Sequence, residues 1–324
     1  MTDRRTFLKS AVFTSLAVSA TQTHAQSPAN DQWVSVIDLD RCNGCTGHPI
    51  PACVKACQEK NQTKFPEPQK PLKPYWPQKK FKDFSDDRNR IDRLTPYNWL
   101  YVETIQVGNR TVYAPRRCMH CFDAPCRKIC PFGAIDKSEQ GAVGINPNVC
   151  FGGAKCRDVC PWEVPQRQAG VGLYLDIAPK FAGGGVMYKC DFCADRLQKG
   201  ETPACAQACP KGAMIFAPLK VIEKEIQKMA DGRYIYGQKE NGGTATWYIS
   251  SVPFETLQKS LTQSGVDKKN NGRAGFQETA PQLQASSGWA KATLAAPLAA
   301  VGAAYLLRQR KKLTSKANSS DKEE

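Results

Sequence analysis

Two uncharged apolar runs lie near the ends of the chain, and between them hydrophobic positions come in short, interrupted stretches. The first run sits inside residues 1–25, behind a charged start containing Arg4 and Arg5. It is too short to cross a bilayer, and polar residues with a small-residue exit at Thr23-His24-Ala25 follow it. That grammar predicts an export leader cleaved after Ala25. The second run, 292–307, is rich in Ala and Leu; with 289–291 it reaches 19 residues. That is close to the roughly 20 needed to span hydrocarbon, and predicts one C-terminal transmembrane helix over 289–307. Between the runs, alternation over 99–106 and 110–114 around Gly108-Asn109 predicts a β-hairpin. Helical spacing marks 220–229, and 244–250 alternates as a strand. Pro66, Pro68, Pro71, Pro74 and Pro77 make the first half of 58–117 irregular.

The flanks of the two runs orient the chain. Arg4-Arg5 followed by Thr6-Phe7-Leu8-Lys9 resembles a twin-arginine export signal. Behind the second run come Arg308, Arg310, Lys311 and Lys312, and positive residues favour the cytoplasmic side. Lys291 is placed to snorkel outward beside Trp289. Both ends predict a periplasmic body on an inner-membrane anchor, with 308–324 as a basic cytoplasmic tail.

Composition narrows the class. A mean hydropathy of −0.48 excludes a polytopic membrane protein, and 24 Gly with 22 Pro exclude a coiled coil. The 15 cysteines decide the rest, because all lie between Cys42 and Cys209 in four groups. Group one is Cys42, Cys45, Cys53 and Cys57. Group two is Cys118, Cys121, Cys126 and Cys130. Group three is Cys150, Cys156 and Cys160, and group four is Cys190, Cys193, Cys205 and Cys209. Groups one, two and four open with C-x2-C, all four close with C-x3-C, and the last three run on into Pro131, Pro161 and Pro210. Such a loop wraps three thiolates around one cubane face, while the fourth thiol turns toward a neighbouring cluster.

Three other chemistries compete for these residues. Disulfides suit an exported protein, but the count is odd and the spacing repeats as cluster loops do. Zinc accepts C-x2-C pairs, yet its sites do not usually end in C-x3-C-P, and the chain has only 3 His. A thioredoxin-like redox pair would need two thiols. The spacing therefore points to iron–sulfur clusters, which also explains a twin-arginine route: clusters assembled in the reducing cytosol require export of a folded protein. Group three departs from the pattern, since the position expected to hold its second thiol is Gly153. The ligand count predicts three [4Fe–4S] clusters and one [3Fe–4S] cluster. A four-iron cluster completed by water or a distant side chain is the alternative.

Charge then loses much of its apparent meaning. The chain carries +15; removing 1–25 and 308–324 takes away nine basic and four acidic residues and leaves 36 against 26. Four thiolate-bound clusters bring about −8, so the exported body is nearly neutral. Nucleic-acid binding is not indicated. Seven Lys between Lys60 and Lys82 face only Glu67, with Tyr75 and Trp76 interleaved, which reads as a solvated or partner-facing surface.

The expected organisation is a leader (1–25), a four-cluster ferredoxin domain (26–217) with an insert (58–117), a C-terminal extension (218–288), the anchor and the tail. Ala204-Cys205 through Ala213 repeats the pattern of Cys126 through Ile135. The fold class is α+β: a duplicated bacterial ferredoxin-like domain with an insert, plus one transmembrane helix.

These groups, with Tyr188-Lys189-Cys190-Asp191-Phe192-Cys193 and the Gly-Ala after the last Cys-Pro, resemble four-cluster ferredoxin-type (beta) subunits of respiratory oxidoreductases. That family serves formate dehydrogenase, nitrate reductase and dimethyl sulfoxide reductase. The leader, Val252-Pro253-Phe254-Glu255-Thr256-Leu257 and the single anchor are most similar to the membrane-anchored ferredoxin-type subunit of nickel–iron hydrogenase-2. Gly153 resembles the three-iron variant of nitrate reductase beta subunits.

The resemblance implies an electron wire whose ligand groups pair crosswise. Cys42, Cys45 and Cys53 would join Cys209, and Cys57 would join Cys190, Cys193 and Cys205. Cys118, Cys121 and Cys126 would join Cys160, and Cys130 would join Cys150 and Cys156. The implied partners are a catalytic subunit (a nickel–iron hydrogenase or a molybdopterin enzyme) and an integral quinone-reactive subunit, with the three-iron cluster at the quinone end. No nucleophile–base set, phosphate loop or carboxylate dyad stands out, so catalysis is expected from a partner. A redox sensor or cluster scaffold is the rival reading, and an exported disulfide-rich binding module a second.

Overall fold

The computed structural model describes residues 32–72, 81–177, 184–265 and 271–281. The predicted leader, anchor and tail lie outside these residues. Among the described residues no helix is long and apolar enough to cross a membrane.

In chain order the first half holds β1 (Trp33–Asp38), α1 (Ala52–Asn61), β2 (Tyr101–Val107), β3 (Arg110–Arg116), α2 (Pro125–Lys128), β4 (Ile135–Lys137) and β5 (Val143–Ile145). The second half holds α3 (Lys155–Asp158), β6 (Gln166–Gln168), α4 (Tyr174–Ile177), β7 (Val186–Tyr188), α5 (Ala194–Leu197), α6 (Ala204–Gln207), β8 (Met214–Pro218), α7 (Leu219–Ala230), β9 (Tyr234–Tyr236), β10 (Thr246–Ser250) and α8 (Phe254–Gln263). Strands and one-turn helices alternating around cysteine loops make an α+β chain with two ferredoxin-like modules.

The hairpin expected around Gly108-Asn109 is β2–β3, with Val107 paired to Arg110 and Gly108 at φ 56. A residue without a Cβ takes that left-handed turn at no steric cost. The helix expected over 220–229 is α7, which lays Leu219, Ile222, Ile226 and Ala230 against the main sheet and leaves its lysines in solvent. The strand expected over 244–250 is β10, shorter by two residues because Thr244 and Ala245 bond instead to Gly237 and to the Met119–His120 turn.

Strand pairing decides where the thiols meet. The main sheet runs β8-β1-β10-β9, with β1 antiparallel to β8 and parallel to β10. Ile37 stands opposite Met214, so the chain entering group one lies beside the chain leaving group four. Helix α1 packs on α6 and α2 on α3, matching the C-x3-C end of one group to that of another. The β4–β5 hairpin turns the chain from group two toward group three, and β6–β7 joins group three to group four.

The described residues beyond 218 join the same body. β9 and β10 belong to the main sheet, and α8 packs against β2. Phe276 then closes an aromatic cluster with Tyr236, Tyr248 and Phe254, each ring centroid 5.1–5.2 Å from its own. The buried Arg116 guanidinium lies 4.0 Å from the Phe276 ring centre and donates to the carbonyl of Ala274. Next to it, buried Glu103 accepts two hydrogen bonds from Arg273.

Glu103→Gln should therefore loosen this clasp. Charge-assisted hydrogen bonds contribute roughly 1.5–3 kcal/mol, and Arg273 keeps some solvent, so the expected loss is about 2 kcal/mol. The check is a lower thermal midpoint by circular dichroism at unchanged iron content.

The lysine-rich insert is less free than its composition implies. Lys60 pairs with Asp195, Lys64 with Asp191 and Lys70 with Asp83, each at 2.6 Å. The first two bonds tie the end of α1 to the group-four loop, so these lysines hold the chain together rather than await a partner. Residues 73–80 lie outside the described residues.

Candidate metal centres

All fifteen cysteines are free, and none is an isolated surface thiol. They line four cavities. The first is lined by Cys42, Cys45, Cys53 and Cys209. The second is lined by Cys57, Cys190, Cys193 and Cys205. The third has Cys118, Cys121, Cys126 and Cys160. Around the fourth stand Cys130, Cys150 and Cys156, with Gly153 beside them. Each cysteine thus faces the cavity that the crosswise pairing assigns to it.

Local geometry explains how each loop does this. The residue before the second cysteine of C-x2-C is left-handed at His120 (φ 47) and Phe192 (φ 62), which turns its N–H inward. Those N–H groups donate to Cys118 Sγ at 3.5 Å and Cys190 Sγ at 3.4 Å. Likewise Met187 donates to Cys150 Sγ at 3.5 Å and Ala213 to Cys209 Sγ at 3.3 Å. In α1, Cys53 and Cys57 are one helical turn apart, so adjacent first and second cavities receive one thiol each from a single rigid element.

Do these cavities fit iron–sulfur clusters? Among the described residues no three Cys, His, Asp or Glu converge closely enough for a single metal ion. Each set of thiols instead lines one shared apolar cavity, the arrangement that a multi-iron cluster uses. Burial and neighbouring thiols also disfavour each other's charge. Burial pushes Cys42, Cys126 and Cys193 up to about 11, and Cys160 and Cys190 to about 12. Cys53 and Cys57 rise further, first by burial and then through Cys205 and Cys190 respectively. Thiols packed this way need a bound cationic centre to become thiolates. The residues fit the group.

Gly153 has an ordinary backbone φ, and a Cβ built on it meets nothing within 4 Å. Its neighbour Gly152 is the opposite case: φ is +64, and a Cβ there would collide with the Gly185 carbonyl. The missing thiol at 153 is therefore not forced by the backbone.

Several residues that serve these cavities carry no cysteine signal. Asn241 Nδ2 donates to Cys121 Sγ at 3.3 Å, across 120 residues of sequence. Asn61 Nδ2 donates to the Cys57 carbonyl at 2.9 Å and lies 3.7 Å from its Sγ. Trp162 lines the third cavity, and its indole N–H donates to the Tyr236 hydroxyl at 2.8 Å. Burial, with Lys189 and Arg117 nearby, holds His120 well below the usual imidazole range and so neutral.

The sequence matches the 4Fe-4S dicluster domain family twice, over residues 41–134 and 109–219. The hydrogenase-2 operon protein HybA of Escherichia coli O157:H7 is 28% identical over 302 residues, covering 79% of this chain and 83% of that protein. The iron–sulfur cluster-binding subunit of menaquinone reductase from Nitratidesulfovibrio vulgaris is 28% identical over 253 residues, covering 68% and 89%. The B polypeptide of anaerobic dimethyl sulfoxide reductase from Escherichia coli K12 is 30% identical over 197 residues, covering 60% of this chain and 77% of that one. This chain belongs to the ferredoxin-type subunits of respiratory oxidoreductases.

A ferredoxin-type subunit carries iron–sulfur clusters and relays electrons within such a complex. That role accounts for four thiol-lined cavities inside one fold. It also explains why the ferredoxin-type subunit surrounds them with apolar residues: burial and hydrogen bonds to sulfur are what set cluster potentials.

Proposed function

We propose that this chain is a four-cluster relay working on the periplasmic face of the inner membrane. It carries electrons between a metal-centred catalytic subunit, a nickel–iron hydrogenase or a molybdopterin enzyme such as formate dehydrogenase, and an integral quinone-reactive subunit. The observation that carries the reading is the serial arrangement of the cavities. α1 and α6 join the first to the second, α2 and α3 join the third to the fourth, and Arg117-Cys118 with Lys189-Cys190 join the middle pair.

Cys42, Cys45, Cys53 and Cys209 would hold one cluster, and Cys57, Cys190, Cys193 and Cys205 the next. Cys118, Cys121, Cys126 and Cys160 would hold the third. Cys130, Cys150 and Cys156 would hold a three-iron cluster. When bound, each cluster supplies one-electron exchange without proton or group transfer. The protein's own work is to fix the thiols, exclude water and donate N–H groups to sulfur. Ile129, Phe132 and Val149, all exposed, lie in sequence beside Cys130 and Cys150. Phe132 stacks on Phe151 at 4.6 Å over the fourth cavity. An apolar rim at one end of the series supports docking of a partner subunit there.

The test is purification of a tagged full-length chain from solubilised native membranes. A large metal-containing subunit and an integral membrane subunit should come with it, and the catalytic subunit's substrate should reduce its clusters. Recovery of the chain alone, with clusters that no partner reduces, would overturn the assignment.

Export rests on 1–25, outside the described residues. Changing both Arg4 and Arg5 to Lys should leave the loaded protein in the cytoplasm, because the pair is read as an address rather than as charge. Fractionation followed by immunoblotting checks it; periplasmic protein with full iron would contradict the twin-arginine reading.

A further inference from the structure

The wall between the second and third cavities contains two buried cations placed reciprocally. Arg117-Cys118-Met119-His120-Cys121 and Lys189-Cys190-Asp191-Phe192-Cys193 share one layout: a cation, C-x2-C, and a left-handed aromatic or imidazole ring before the second cysteine. Cys118 faces the third cavity, but Arg117 lines the second. Cys190 faces the second, but Lys189 lines the third. Between them the His120 and Phe192 rings touch, their centres 4.3 Å apart and their planes tilted by 32°. Each segment thus contributes its thiol to one cavity and its positive charge to the other.

Neither cation is held in an ion pair; Asp191, bonded to Lys64, acts on Lys189 only at longer range. Arg117 is 1% exposed and Lys189 5%, and among the described residues neither makes a salt bridge. The Arg117 guanidinium lies 5.0 Å from the Phe192 ring centre and 5.1 Å from that of Phe216. One of its nitrogens reaches the Cys118 carbonyl at 3.4 Å, while Nε and Nη2 are buried with no partner. Lys189 Nζ donates to the carbonyls of Val143 and Cys190. The Val143 N–H in turn donates to His120 Nδ1 at 3.0 Å, locking the wall to β5. A lone buried cation is costly unless an anion stands near it. Besides Asp191, the anions at this wall are the thiolate-bound clusters of the relay, so this inference rests on that reading.

We propose that Arg117 and Lys189 are positioning residues that raise the reduction potentials of the second and third clusters, each acting on the cluster of the cavity it lines. A fixed positive charge in a dry site favours the more negative, reduced state of its neighbour. Because the two cations are exchanged across the wall, the two middle relays are raised together. Electrons then cross from module to module between two centres shifted in the same direction.

The experiment compares Arg117→Gln, Lys189→Gln, Arg117→Lys and Lys189→Arg in the purified complex, by iron content and by EPR redox titration. Wild-type iron and EPR signals first establish that the clusters are present; their absence would fail the relay reading, not this one. Gln retains hydrogen-bond donors without charge. Arg117→Gln should lower the potential chiefly of the second cluster and Lys189→Gln chiefly of the third, with the first and fourth unmoved. The Lys and Arg exchanges should stay close to wild type. Loss of iron in the Gln variants with full loading in the charge-retaining pair would assign the cations to cluster assembly and overturn the potential assignment. Fully loaded Gln variants with unchanged potentials, or iron loss in all four variants, would overturn it.

Discussion

Gly153→Cys is expected to turn the fourth centre from three irons into four. The oxidised wild type should show one half-integer-spin three-iron EPR signal and about fifteen irons per chain. The variant should lose that signal and gain about one iron. Two features of the backbone make the test clean. Position 153 has an ordinary φ, a Cβ there meets nothing within 4 Å, and Gly153 lines the same cavity as Cys130, Cys150 and Cys156. Strain is thereby excluded as the reason for any failure, as it would not be for Gly152. Cluster type is also one of the strongest determinants of potential, so the variant should accept electrons less readily and slow transfer through this end of the relay. A wild type with about sixteen irons and no three-iron signal would mean that a group other than thiolate completes a cubane.

The second large effect separates crosswise from local ligation. Cys42→Ala and Cys209→Ala should each leave the first centre with three thiolates, reducing it to a three-iron form or losing it, and the double variant should perturb that same centre alone, losing at most about four irons. Residues that serve one cluster cannot be lost twice. If each group held its own cluster, the two changes would damage different centres, and the double variant would show two perturbed clusters, each still with three thiolates. Antiparallel pairing of β1 with β8 and the packing of α1 on α6 make the first outcome the expected one. Iron and sulfide analysis of the three purified variants decides between them.

Much of this protein is written in short-range spacing. Fifteen cysteines, their C-x2-C and C-x3-C-P intervals and the gap at Gly153 are visible without coordinates, because a loop that wraps a cluster is built within about a dozen residues. The β2–β3 hairpin and α7 were legible for the same reason: a two-residue turn and a 3.6-residue period are local signals. β10 was legible as a strand but not as the parallel neighbour of β1, which depends on what else competes for that sheet edge.

The lysines of the insert show how composition alone misleads. Lys60 and Lys64 look unpaired in sequence because Asp195 and Asp191 lie 135 and 127 residues away. The same distance hides Asn241 from Cys121, since nothing near Asn241 resembles a cluster motif. Arg117 and Lys189 were more accessible, each standing directly before a C-x2-C. What the string could not show is that each cation serves the other segment's cavity.

The sequence by itself therefore determined the chemistry: which thiols exist, in what loops, and that one corner lacks its ligand. Tertiary structure decided the partnerships: which groups share a cavity, which cation lines which cavity, and which distant asparagine donates to sulfur. The division has a physical cause. Thiol spacing is set by the reach of a few backbone bonds, whereas partnership is set by burying strands and helices from remote parts of the chain against one another. That choice is made by the total apolar surface and backbone hydrogen bonding of the fold, which no single segment contains.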